Sequence, residues 1–327
     1  MKRGVVLAIL FFLLAAGMLF AAGSQEASEE EALKVALALP GPISDNGWSA
    51  SAYEGLMMIE ENYGAEVSYT ENVSTSDMED VFRSYSELGY SIIFGHGSQF
   101  TDAIHAVAGD YPDIQFIIIN GNSPKAPNIA CIQVADDQQG FMMGAVAALL
   151  TKTGTIGVIG GVEIPPIKMA VDGYMLGAKY ADPNVEVLST LTGSFDDVAK
   201  AKETALAMIG NGADIVGAIA NQAGLGSIEG CKERGVMAVG SNQDQNPVAP
   251  DTVVVSVVKS IPVLFTFAFE KMAEGSLEPK VYRLGVNEGA VYLSSWHGFE
   301  DKVPAEVKAK LETIKDEVGS GTVKTQP

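Results

Sequence analysis

From Leu33 onward the chain alternates between short, nearly unbroken apolar runs and longer stretches whose apolar residues recur with a helical period. The runs Leu33–Leu39, Ala65–Thr70, Tyr90–Phe94, Ile114–Ile119 and Ile129–Val134 predict strands. So do Thr155–Gly160, Val185–Thr190, Asp214–Ala220, Val236–Gly240 and Thr252–Val257. Continuous rather than alternating hydrophobicity marks strands covered on both faces, the condition of a parallel sheet. Between them, Ser49–Tyr63, Asp77–Leu88, Gln138–Leu150, Pro166–Tyr180, Asp196–Asn211 and Gly224–Arg234 predict helices. Asp77 and Asp196 stand where helices start, and Gly89 and Gly212 where they stop. This alternation predicts right-handed βαβ units in an α/β protein with doubly wound, mainly parallel sheets.

The rhythm restarts once. After five strands comes the long helix Gln138–Leu150 and a turn at Thr151–Gly154, and TIGVIG then opens a new series. Two sheets are expected, one per lobe. A second long helix over Ile261–Gly275 and late strands within Val281–Leu293 imply that the chain recrosses between lobes near 137, 262 and 289. The first lobe is then 33–137 with about 262–288, and the second 138–261 with about 289–327. Such lobes enclose a cleft that closes about a hinge.

The first 22 residues follow another pattern. Lys2-Arg3, an apolar run and then Ala21-Ala22-Gly23 have the order of a secretory signal peptide, with a single membrane anchor as the alternative. LFAAG resembles a lipoprotein cleavage box in which Gly23 replaces the cysteine, so no lipid thioether can form there. Residues 23–32 are acidic and polar and read as a flexible linker. The body is expected to act outside the cytoplasmic membrane.

Charge narrows the function. The chain has 41 acidic against 21 basic residues, a formal net charge of −20, which would repel nucleic acid. HExxH, GxSxG and GxxxxGK[ST] are absent from the sequence, and His96, His105 and His297 do not have a zinc-ligand spacing. Asp136-Asp137 and Asp196-Asp197 read as helix-start carboxylates. Cys131 and Cys231 read as buried small hydrophobes, a bridge between them being the alternative in an exported chain. No catalytic residue, metal or cofactor is expected.

Polar and aromatic residues instead gather at the carboxyl ends of the predicted strands, where open α/β sheets bind ligands. The first strand runs into PGPISDNGW, which offers Asp45, Asn46, Trp48 and Ser49. Trp48 either packs beneath its own loop or stacks on a planar ligand. The third strand ends at Ser98 and Gln99. Later strand ends supply Phe195, then Asn221 and Gln222, then Asn242 and Asp244, with Lys259 as the one cation among these candidates. Amides, carboxylates and aromatics suit a neutral or weakly cationic flat molecule better than an anion.

The blocks SDNGWSASAYEGL, VSYTENVS, YPDIQFIIING, QQGFMMGAVAALLTKTGTIGVIGG, GADIVGAIANQAGLGSIEGCKERG and VVSVVK, in this order, resemble the basic membrane protein family. That family comprises substrate-binding proteins of ABC transporters and includes purine nucleoside receptors. The resemblance covers nearly all of Leu33 to about Glu317 and implies the two-lobed periplasmic-binding-protein (type I) fold. It implies no catalysis, a monomer, a purine nucleoside or base as ligand, and an ABC permease as partner. The family's Asp-x-x-Phe-Asn falls on Asp45, Trp48 and Ser49, so the base-stacking aromatic is a tryptophan here. The Asp-x-Gly-Trp form resembles a branch linked to adenine and related bases. An aspartate that reads the base in nucleoside receptors is replaced by Leu39. The Ala-Gly-Gly loop becomes Ala220-Asn221-Gln222, and the ribose-gripping aspartate becomes Asn242, which loses charge-assisted strength. Lys259 matches the family's Ser-x-x-Lys. A ligand-sensing receptor of the same fold and a nucleoside hydrolase are the competing functions.

Overall fold

The computed structural model describes residues 33–44 and 48–327. The leader and linker read over 1–32, together with Asp45 and Asn46, lie outside the described residues. One six-stranded sheet contains β1 (Lys34–Ala38), β2 (Glu66–Thr70), β3 (Ile92–His96), β4 (Gln115–Ile119), β5 (Ile129–Val134) and β11 (Val281–Leu284). Their order is β11-β5-β4-β3-β1-β2 and every pairing is parallel. Helices α1 (Trp48–Tyr63), α2 (Met78–Glu87) and α3 (Thr101–Val107) connect its strands.

The second sheet repeats the plan with β6 (Thr155–Gly160), β7 (Glu186–Leu191), β8 (Ile215–Ile219), β9 (Met237–Asn242), β10 (Val253–Lys259) and β12 (Val291–Leu293). Its order is β12-β10-β9-β8-β6-β7, with only β12 antiparallel to its neighbour. The protein is thus α/β with two doubly wound, mainly parallel sheets. Helix α4 (Asp136–Leu150) leads into this sheet, and α5 (Pro165–Ala181), α6 (Val198–Gly210) and α7 (Gly224–Arg234) connect its strands. Helix α8 (Ile261–Ala273) returns to pack on α1, and α9 (Ala305–Gly319) packs on α4.

Glycine spacing explains the tightest contact. A Cβ on Gly140 or Gly144 of α4 would lie 1.8 or 2.0 Å from the carbonyl oxygen of Ala170 or Tyr174 on α5. Gly173 and Gly177 of α5 face the carbonyls of Asp137 and Phe141 in the same way, at 2.3 and 2.0 Å. The two helices therefore touch backbone to backbone, and any side chain at these positions would force them apart.

Both sheets reverse winding direction between their central strands, β1 and β3 in one and β6 and β8 in the other. Ligands of open α/β sheets bind outside the carboxyl ends of strands at such a reversal. Several predicted boundaries move toward these ends. β3 continues past Phe94 because His96 pairs with Ile119, and β9 and β10 continue to Asn242 and Lys259. Helix α4 starts at Asp136, before Gln138, so the paired aspartates form its first turn. Asp197 rather than Asp196 caps α6, its carboxylate accepting from the Lys200 N–H at 2.9 Å. Asp77 receives the Ser74 and Ser76 hydroxyls and caps no amide of α2. The polar helix α9 has no counterpart among the predicted helices.

The disulfide alternative is overturned. Cys131 lies in β5 of the first sheet and Cys231 in α7, which packs on the second, and both are free and buried. Burial pushes the thiols up, to about 11 for Cys131 and about 12 for Cys231. Among the described residues, no helix is long and apolar enough to cross a membrane.

Candidate ligand-binding cleft

At the first reversal the chain leaves β1 and enters α1 at Trp48, beside the end of β3. Trp48 is half-buried and stacks on the fully buried His96, with ring centroids 3.9 Å apart and an interplanar angle of 23°. His96 Nε2 lies 2.8 Å from the Trp48 carbonyl oxygen, and Ser51 donates its hydroxyl to the same oxygen at 2.9 Å. Phe265 lies behind the imidazole at 6.1 Å and stacks on Phe94 at 4.3 Å. Trp48 is therefore packed on His96 while staying only partly buried.

The neighbouring candidates divide. Ser49 is buried, and its hydroxyl lies 3.3 Å from where a Cβ on Gly41 would stand. Leu39 is fully buried in the core, and its side chain has no polar group to offer. Ser98 and Gln99 are exposed in a 3₁₀ turn after β3, with the Gln99 amide folded over Gly97.

At the second reversal the loop after β7 lays the Phe195 ring on Gly161, just past β6. A Cβ on Gly161 would meet two Phe195 ring carbons at 2.6 Å. The Phe195 carbonyl accepts from the Ala223 N–H at 2.7 Å, which ties this loop to the turn after β8. Asn221 and Gln222 open that turn and are exposed. Asn221 and Asn242 both adopt left-handed backbone, φ 48° and 67°. Asparagine tolerates that conformation better than most residues.

The start of α4 gathers polar groups whose partners the sequence pattern did not reveal. Lys259, the one cation among the candidate ligand residues, pairs with Asp136 at 2.8 Å, both largely buried. Asp137 takes the Arg283 guanidinium from β11 and the Thr325 hydroxyl from the C-terminal segment. Gln138 accepts from the Val286 N–H at 2.8 Å. Gln139, fully buried, donates to the Val257 carbonyl at 2.9 Å and to Asn242 Oδ1 at 3.3 Å. Its own Oε1 has no hydrogen-bond partner among the described residues. Four consecutive residues thus fasten the start of α4 to both later crossings. A side chain's role here depends on partners more than a hundred residues away, which no local motif reveals.

At the rim, Asp244 is exposed and its Oδ2 lies 2.5 Å from His297 Nε2. Tyr292 on β12 has its phenol pushed above the usual range, first by burial and then by the Glu54 and Asp244 carboxylates. This edge is acidic and hydrogen-bonding, a setting for neutral or positively polarised groups.

Residues 32–323 match the family model described as ABC transporter substrate-binding protein PnrA-like. The chain belongs to this family. It is 30% identical over 279 residues to the transcriptional activator protein med of Bacillus subtilis, covering 85% of this chain and 87% of that protein. It is 31% identical over 295 residues to basic membrane protein B of Borrelia garinii subsp. bavariensis, covering 85% and 86%. Among solved structures, an ABC transporter solute-binding protein from Aeropyrum pernix has the same fold, with a TM-score of 0.75 at 23% identity over 89% of this chain and 92% of that one. As a PnrA-like protein, the chain is built to hold a small molecule, and the family works outside the cytoplasm.

Proposed function

We propose that this protein captures a purine base or purine nucleoside between its lobes and delivers it to the permease of an ABC importer. The observation that carries the reading is the pair of aromatic side chains, Trp48 and Phe195, one at the winding reversal of each sheet. A flat heterocycle stacked on the open face of Trp48 would gain about 1–3 kcal/mol. Phe195 would close on it from the other lobe. Asn221, Gln222, Asn242 and Asp244 supply amide and carboxylate groups for the heterocycle's edge, and Ser98 and Gln99 flank them from the first lobe. Asp45 and Asn46 complete the set by sequence.

Closure follows because the ligand touches both lobes, so the closed state gains contacts that the open state lacks. Lys259 acts on the hinge through Asp136 rather than as a free ligand cation. The Leu39 and Asn242 replacements favour a free base, or a nucleoside held without a charged ribose clamp. The protein works as a monomer, and its chemistry is binding alone. Thermal unfolding against a panel of adenine, guanine, hypoxanthine and their nucleosides tests the reading. At least one of them raises the melting temperature; stabilisation by sugars or amino acids and by no purine would overturn it.

A second reading is supported by the relationship to a protein named as a transcriptional activator. On that reading the same cleft senses its ligand for a regulatory partner. Uptake of labelled purine in cells lacking this protein separates the two, since transport requires it and sensing leaves uptake intact.

A further inference from the structure

We propose that His96 is a positioning residue that holds Trp48 with one indole face against the protein and the other toward the ligand. This rests on the reading that Trp48 stacks on a flat heterocycle. His96 is the last residue of β3 and has no exposed surface. A phenyl ring would fill the same space without desolvating ring nitrogens, so the imidazole must return something for its burial. What it returns is a backbone tether. A carbonyl oxygen only accepts, so the Nε2 that lies 2.8 Å from the Trp48 oxygen carries the hydrogen. That bond fixes the first residue of α1, while the same ring lies flat beneath the indole at 3.9 Å.

The support continues inward. Phe265 stands behind the imidazole and is itself stacked on Phe94 at 20°. Gly55 on α1 admits it, since a Cβ there would come within 3.0 Å of the Phe265 ring. Trp48, His96, Phe265 and Phe94 thus form a column from cleft to core that fixes the indole before ligand arrives. An aromatic fixed in advance loses less conformational freedom on binding, so more of the stacking energy reaches the affinity.

The chain has two tryptophans, so Trp296→Phe leaves Trp48 as the single reporter. In that background, His96→Asn removes the ring, whereas His96→Phe keeps a ring and removes the tether. We expect His96→Asn to make apo Trp48 emission brighter, red-shifted and more accessible to acrylamide. Its affinity for adenine or adenosine falls about tenfold, and His96→Phe restores it to within about threefold. Unchanged apo emission and acrylamide quenching in His96→Asn would overturn the proposal, as would undiminished affinity in both variants. If neither adenine nor adenosine binds the reference protein, the purine reading falls, and the apo emission and acrylamide results still support or overturn the role of His96.

Discussion

The two winding reversals solve the same problem by opposite means. In the first lobe an aromatic ring is backed by a side chain, the buried imidazole of His96 against Trp48. In the second it is backed by a missing side chain, since Phe195 occupies the space that any Cβ on Gly161 would need. The first ring is tethered through its own backbone oxygen and stands at a helix start, whereas the second sits on a loop whose main chain bonds to Gly160, Gly161 and Ala223 while its ring rests on a glycine. The contrast teaches that the first lobe fixes its ring by a stack and a tether, and the second by leaving room for it over bare backbone.

The largest effect comes from breaking the buried ion pair that joins the start of α4 to the end of β10. Lys259→Met leaves Asp136 buried without its cation and should lower unfolding free energy by about 3–5 kcal/mol, measured by urea denaturation. Trp48→Ala is next. It should weaken purine binding by about 1–3 kcal/mol in calorimetry and reduce apo stability by about 1 kcal/mol, because one indole face is already packed on His96. Equal, large losses of apo stability and affinity would show that Trp48 is simply a core residue.

Gly161→Ala sharpens the other side of the comparison. The new methyl displaces the Phe195 ring, so affinity should fall about three- to tenfold while apo stability changes by about 1 kcal/mol or less, since the ring can move on its loop. The smallest effect concerns the two thiols, one per lobe. Both are held above their ordinary value by burial, to about 11 and about 12, so they stay protonated in the folded protein near pH 8. The unfolded chain ionises its thiols first, so stability falls as pH rises from about 9 through 11 and 12. Alkylation followed by mass spectrometry at pH 8 should therefore be slow at both sites in the native state.

Much of this architecture was legible in the pattern of apolar runs, because strands buried on both faces must be continuously hydrophobic. The restart at Thr155 marked the second sheet, whereas the close approach of α4 and α5 through their glycines emerges only from the structure. The strand ends were harder to read. His96 and Lys259 are polar residues at the tips of apolar strands, and only pairing with Ile119 and Val291 shows that the strands include them. The placement of Trp48, Phe195, Asn221 and Asn242 at strand ends followed from sequence, but what backs each of them did not. His96 lies 48 residues from Trp48, and Gln139 lies 103 from Asn242, separations at which sequence spacing carries no contact information.

The most direct measurement is isothermal titration calorimetry of the purified protein with adenine and adenosine, alongside Trp48→Ala and Phe195→Ala. The account predicts one site per chain in the unaltered protein, with affinity reduced in both variants. Absence of heat with every purine, or binding that survives both substitutions undiminished, would contradict it.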